Sequence, residues 1–66
     1  MSLKYEYKVI TVPSDEFSEK INEMGQQGWR VVSYRRFTEE ECNDDNYWYE
    51  EQYVEILVEH ERFYND

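Results

Sequence analysis

Five carboxylates crowd into nine residues, Thr38 to Asn46 (TEEECNDDN): Glu39, Glu40, Glu41, Asp44 and Asp45. Glu50, Glu51 and Glu55 follow among aromatic residues. Carboxylates in such numbers can ligate a hard cation, share a proton in acid–base catalysis, or present a negative field to a basic partner. A calcium loop of the helix–loop–helix kind needs oxygen ligands at alternating positions, a central glycine and a terminal glutamate. This segment has neither the glycine nor that spacing. His60 is the only histidine and Cys42 the only cysteine, so they form no metal set or nucleophilic pair by sequence spacing. The negative charge around Cys42 also disfavours its thiolate. Acid–base catalysis requires burial that separates two carboxylate pKa values. Glu51, Glu55 and Glu59 instead recur at strand spacing among exposed positions, which marks a solvated face. The expectation is therefore no catalytic residue, no metal and no cofactor, with Glu39, Glu40, Glu41, Asp44, Asp45, Glu50, Glu51 and Glu55 as a protein-interaction surface.

Arg30, Arg35 and Arg36, beside Tyr34, are the main basic group outside the first strand. Guanidinium groups bind phosphate in a planar, bidentate fashion, so these four residues could line an anion site. They could equally pair across a sheet with Glu50, Glu51 or Glu55. Gly25-Gln26-Gln27-Gly28-Trp29 has the glycines of a phosphate loop, but such loops precede a helix and this one follows one. It reads as a helix cap, with Trp29 anchoring the core.

Over the 66 residues, 7 Lys and Arg face 16 Asp and Glu, a net charge of −9. Met1 to Thr38 holds six bases and five acids, whereas Glu39 to Asp66 holds eleven acids against Arg62 alone. Direct nucleic-acid binding is excluded by this balance, because it draws on clustered positive charge. Aromatic residues make up 18% of the chain, which separates it from a disordered acidic tail. No apolar run is long enough for a membrane span and no signal peptide is visible, so a cytoplasmic protein without membrane contact is expected.

The elements that position these residues follow from periodicity. Lys4 to Thr11 alternates Tyr5, Tyr7 and Val9 with Lys4, Glu6 and Lys8, the period of a half-buried strand. Pro13 stops it, and Ser14 is placed to cap a helix whose stripe is Phe17, Ile21 and Met24. Gly25 is expected to close that helix in a left-handed conformation. Trp29 to Phe37 reads as the second strand, Thr38 to Asn46 as an exposed loop, and Tyr47 to about Glu59 as a long third strand. In that strand Trp48, Val54, Ile56 and Val58 share the core parity, while His60 to Asp66 could extend it or form a helical turn. The expected fold is α+β, a single β-α-β-β domain over 4–66 with one helix on a three-stranded, mostly antiparallel sheet ordered 1-3-2. Met1-Ser2-Leu3 reads as a start appended for expression. One short helix covers one face, so the other is left open, and a homo-oligomer is the simplest way to cover it.

Two pieces of the chain, Tyr5-Glu6-Tyr7-Lys8-Val9-Ile10 and Ile21 through Gly25, Gly28 and Trp29 to Ser33, resemble a family of small bacterial and phage proteins catalogued as domain of unknown function 4177. The resemblance covers about the first half of the chain. It implies a helix packed on a small antiparallel sheet, frequent assembly into oligomers, and no general activity. The acidic segment and third strand depart from the pattern. The function expected is a small acidic non-enzymatic interaction protein, a phage or mobile-element inhibitor in a bacterial or phage-infected cell. It would present a nucleic-acid-mimicking carboxylate and aromatic surface to a basic nucleic-acid-binding protein. The alternative is an oligomeric small-molecule binder that holds a nucleotide or other anion through Arg30, Arg35, Arg36 and Tyr34.

Overall fold

A computed structural model of the chain describes residues 2–64. The elements are β1 (Ser2–Pro13), a 3₁₀ turn (Ser14–Glu16), α1 (Phe17–Gln26), β2 (Arg30–Cys42) and β3 (Trp48–Tyr64). The sheet order is β1-β3-β2, and both neighbours run antiparallel to β3. One helix on a three-stranded sheet is what the periodicity predicts, and the order is the one expected from the connections between strands. Residues 60–64 continue β3; Asn65 and Asp66 lie outside the described residues. Ser2 and Leu3 belong to β1, opposite Tyr64 and Phe63.

The core is small because the helix is short. Val54, Ile56 and Val58 of β3 are buried with Met24 of α1, and Ile10, Val12, Phe17, Ile21 and Trp29 pack around them. Even-numbered residues of β3 therefore face the helix and odd-numbered ones face away. In β1 the predicted alternation holds, but its aromatic parity lies on the open side: Val9 faces Leu57, Tyr7 faces Glu59 and Tyr5 faces Glu61 across the ladder. Ile10 and Val12 take the core side, set by their register with Ile56 and Val54.

Three local expectations are corrected. Ser14 makes no side-chain cap; the chain enters α1 through the 3₁₀ turn, and the Phe17 N–H donates to the Ser14 carbonyl instead. Gly25 lies inside α1, and Gly28, at φ 90°, takes the left-handed position. There the Gly28 N–H donates to the Gly25 carbonyl at 3.1 Å and the Trp29 N–H to the Met24 carbonyl at 2.9 Å. These two bonds define a Schellman closure three residues later than expected, and it delivers Trp29 onto the core as expected. Thr38 to Cys42, expected in a loop, are strand; the loop is only Asn43 to Tyr47. TEEEC is a poor strand former by itself. It pairs because a tight turn returns the aromatic-rich β3 directly beside it.

The two glycines separate the expected and observed caps. A Cβ on Gly25 meets nothing within 4 Å, whereas one on Gly28 would lie 2.8 Å from His60 Nε2. Gly25→Ala is expected to stabilise the fold by about 0.4–1 kcal/mol, and Gly28→Ala to destabilise it by more than that. Urea denaturation of both variants measures the two signs.

Candidate interaction surface

β3 is 17 residues long, and its two neighbours reach different stretches of it. β1 pairs with Tyr53 to Tyr64 and β2 with Trp48 to Glu59. Only Tyr53 to Glu59 has a strand on both sides. Toward the loop, Thr38–Cys42 and Trp48–Gln52 form a two-stranded arm beyond the end of β1. Within residues 38–52 lie seven acids and no base: Glu39, Glu40, Glu41, Asp44, Asp45, Glu50 and Glu51.

Register decides which of these acids stand together. Glu39 lies directly opposite Glu51, and Glu40 opposite Glu50. The first pair shares the open face, the second the helix-side face, so both faces of the arm are acidic. Glu40 and Glu50 flank a depression of about 250 Å³ with Trp48 and Tyr49, and Tyr47 and Trp48 are each about two-thirds exposed. Asp44 and Asp45 sit at the tip, where Asn43 organises the turn. Its side-chain oxygen accepts from the backbone N–H groups of Asp45 and Tyr47, both at 3.0 Å, and Asn46 adopts φ 61°. The eighth residue, Glu55, lies on the open face of the three-stranded centre and is held by Arg35 at 3.2 Å.

Glu41 has a different role from its neighbours. One of its oxygens accepts from the Tyr49 hydroxyl at 3.0 Å and the other from the Tyr53 hydroxyl. Phe37 stacks on Tyr53 with ring centres 5.7 Å apart, so the arm's base is locked by an aromatic–carboxylate cluster. Hydrogen bonding to Glu41, followed by burial and the nearby Glu51 and Glu39 charges, pushes the Tyr53 phenol up to about 12. The Tyr49 phenol is raised for the same leading reason. Residue types alone do not reveal this cluster, because Glu41 lies in a segment with the composition of a loop. Extending the ladder by five residues would have placed it opposite Tyr49.

The basic residues do not converge. Arg30 pairs with Glu59 and Arg35 with Glu55 on the open face, while Arg36 and Tyr34 lie on the helix side, where Tyr34 meets Phe17 at 5.0 Å. The cause is a β-bulge between Val31 and Ser33. It inserts one residue and rotates Arg30 to the face opposite Arg36. In a single copy, Arg30, Arg35, Arg36 and Tyr34 thus line no common site. The hydrogen bond from Glu59 raises the Arg30 pKa further above its ordinary value.

Cys42 is exposed, its thiol directed to the Asn43 carbonyl, and His60 stacks obliquely against Trp29 at 5.1 Å. Among the described residues, no three His, Cys, Asp or Glu side chains are grouped to hold a metal ion. Nor is any helix among them long and apolar enough to cross a membrane.

A family model described as Domain of unknown function (DUF4177) matches residues 5–57, so the chain belongs to that family. Neither the curated proteins nor the solved structures yield a match to it. The matched span covers the helix, the bulge and the acidic arm, and stops within β3.

Three outcomes test this geometry. Because the folded-state pKa of Tyr53 is raised, its contribution to stability is complete below the ordinary tyrosine value near 10 and is lost as pH rises toward about 12. Glu41→Gln is expected to lower that tyrosine's titration, read by tyrosinate absorbance. Like charges directly opposed in a ladder are destabilising, so Glu40→Lys, opposite Glu50, is expected to raise stability by about 0.2–1 kcal/mol in thermal melts.

Proposed function

We propose that this protein is a non-enzymatic interaction module whose acidic arm occupies the basic groove of a nucleic-acid-binding protein. The observation that carries the reading is the pairing of glutamate with glutamate on both faces of a two-stranded arm. Such pairs cost stability and gain nothing inside the chain. A basic partner offsets that repulsion, so the arrangement favours the bound state over the free one.

The charge density supports the same partner class. At about 3.4 Å per residue, five strand residues and the turn make an arm about 20 Å long. Its seven acids then lie at roughly one per 3 Å, close to the 3.4 Å per charge of a single DNA strand. The exposed Tyr47 and Trp48 add flat aromatic surfaces at the tip, and aromatic anchors of this kind dominate binding energy where they are buried by a partner. Complementary fields of this strength act chiefly on the association rate.

The test is surface-immobilised binding of the chain to a panel of basic nucleases and DNA-binding proteins, with duplex DNA as competitor. Binding at low salt that weakens as salt rises, is displaced by DNA, and loses at least tenfold in association rate with the Glu39→Gln, Glu40→Gln, Glu50→Gln, Glu51→Gln variant is expected. Absence of low-salt binding, or binding indifferent to salt or to these four substitutions, overturns the reading.

A further inference from the structure

The sheet face turned away from α1 has no cover, and its composition differs from that of the arm. Leu3, Tyr5, Tyr7 and Val9 of β1 lie beside Phe63 and Leu57 of β3 in one continuous patch. Leu3, Tyr5, Tyr7, Val9 and Phe63 are between 44% and 66% exposed. At the roughly 200 Å² of a large side chain, they leave on the order of 500 Å² of apolar and aromatic surface on one face. That is at the upper end of the largest patch on an ordinary monomer, about 300–600 Å².

We propose that a second copy of this chain covers this face, the two sheets packing about a two-fold axis that passes through the patch. This surface stands apart from the acidic arm, and the proposal does not depend on what the arm binds. A two-fold contact brings a surface against itself, so it must be self-complementary. An apolar patch meets that condition; a surface of one charge does not. The groups bordering the patch are nearly balanced, with Arg30 and Arg35 held by Glu59 and Glu55 and with Glu61 adjoining.

Area and shape point to the same occupant. A stable interface of standard size takes about 800 Å² from each partner, and the patch with its Arg–Glu rim approaches that figure. Small Ser33 leaves a depression of about 290 Å³ between Val9, Leu57, Arg35 and Glu55, able to receive a side chain of the opposing sheet. The molecule is elongated, 57 × 20 × 19 Å, and the patch lies toward the end opposite the arm. A two-fold axis through the patch that lies across the strands directs the arms outward in opposite directions, whereas one along the strands would set them side by side; charge selects the first. The charges of the two arms are then separated by several times the screening length of about 8 Å at physiological ionic strength. Any contact that brought the arms together would set seven acids against seven.

Sedimentation equilibrium of the intact chain over a range of concentrations, at low and high salt, tests the proposal. The expected result is a species of twice 8.3 kDa that persists or tightens as salt rises. Val9→Glu and Tyr7→Glu, both at exposed positions on an edge strand, are expected to weaken it at least tenfold with circular dichroism unchanged. The four-fold glutamine variant of the arm is expected to associate as tightly as the native chain or more tightly. A native chain that stays monomeric, a dimer that dissociates as salt rises, or a dimer indifferent to both open-face substitutions overturns the proposal. The first two outcomes need no variant to fold.

Discussion

A mismatch of lengths governs this structure: the central strand is much longer than the helix that roofs it. Ten helical residues span about 15 Å, and that distance covers about five residues of extended chain. Val54 to Val58 is such a stretch, and among the described residues the fully buried side chains of β3 fall within it. Outside Tyr53 to Glu59, β3 extends beyond the roof at both ends with a single neighbouring strand at each. The elongated shape and the small core derive from this disproportion, and the open face from there being one helix for the two faces of the sheet.

The unroofed ends are held by different chemistry. At the loop end, Glu41 ties together Tyr49 and Tyr53, and Asn43 closes the turn. At the opposite end, Arg62 pairs with Glu6 and Leu3 stands beside Phe63. Two-stranded ribbons are marginal in water without such support. Polar ties suit the arm, where a large apolar cluster would have to face solvent on both sides. Among the described side chains, the other end gathers its exposed apolar groups, Leu3, Tyr5 and Phe63, on the open face.

Much of the architecture was legible in the residues. The period-two stripe Val54-Ile56-Val58, the period of Phe17, Ile21 and Met24, and the position of Pro13 give the element order and the core parity of β3. Legibility failed where a residue's partner, rather than its own type, set its state. Thr38 to Cys42 have the composition of a loop and are strand because β3 lies alongside. Gly25 and Gly28 are equivalent as letters, yet the Schellman bonds select Gly28. Tyr5, Tyr7 and Val9 form the more aromatic parity of β1, but pairing with Val54 and Ile56 turns Val12 and Ile10 inward instead.

The amino-acid sequence by itself determined that an acidic, aromatic-rich segment follows a neutral β-α-β half, and that one helix must lie on a three-stranded sheet. It contained the acids of the arm, because charge is a property of each residue wherever it is placed. Only the tertiary structure decided which faces they share. A strand has a side-chain period of two, so one inserted residue at the bulge before Ser33 exchanges faces for everything upstream of it, separating Arg30 from Arg36. The antiparallel register likewise sets Glu39 against Glu51 and Glu40 against Glu50 rather than against a base. Both outcomes depend on hydrogen-bond partners 10 to 30 residues away along the chain, where local periodicity carries no information.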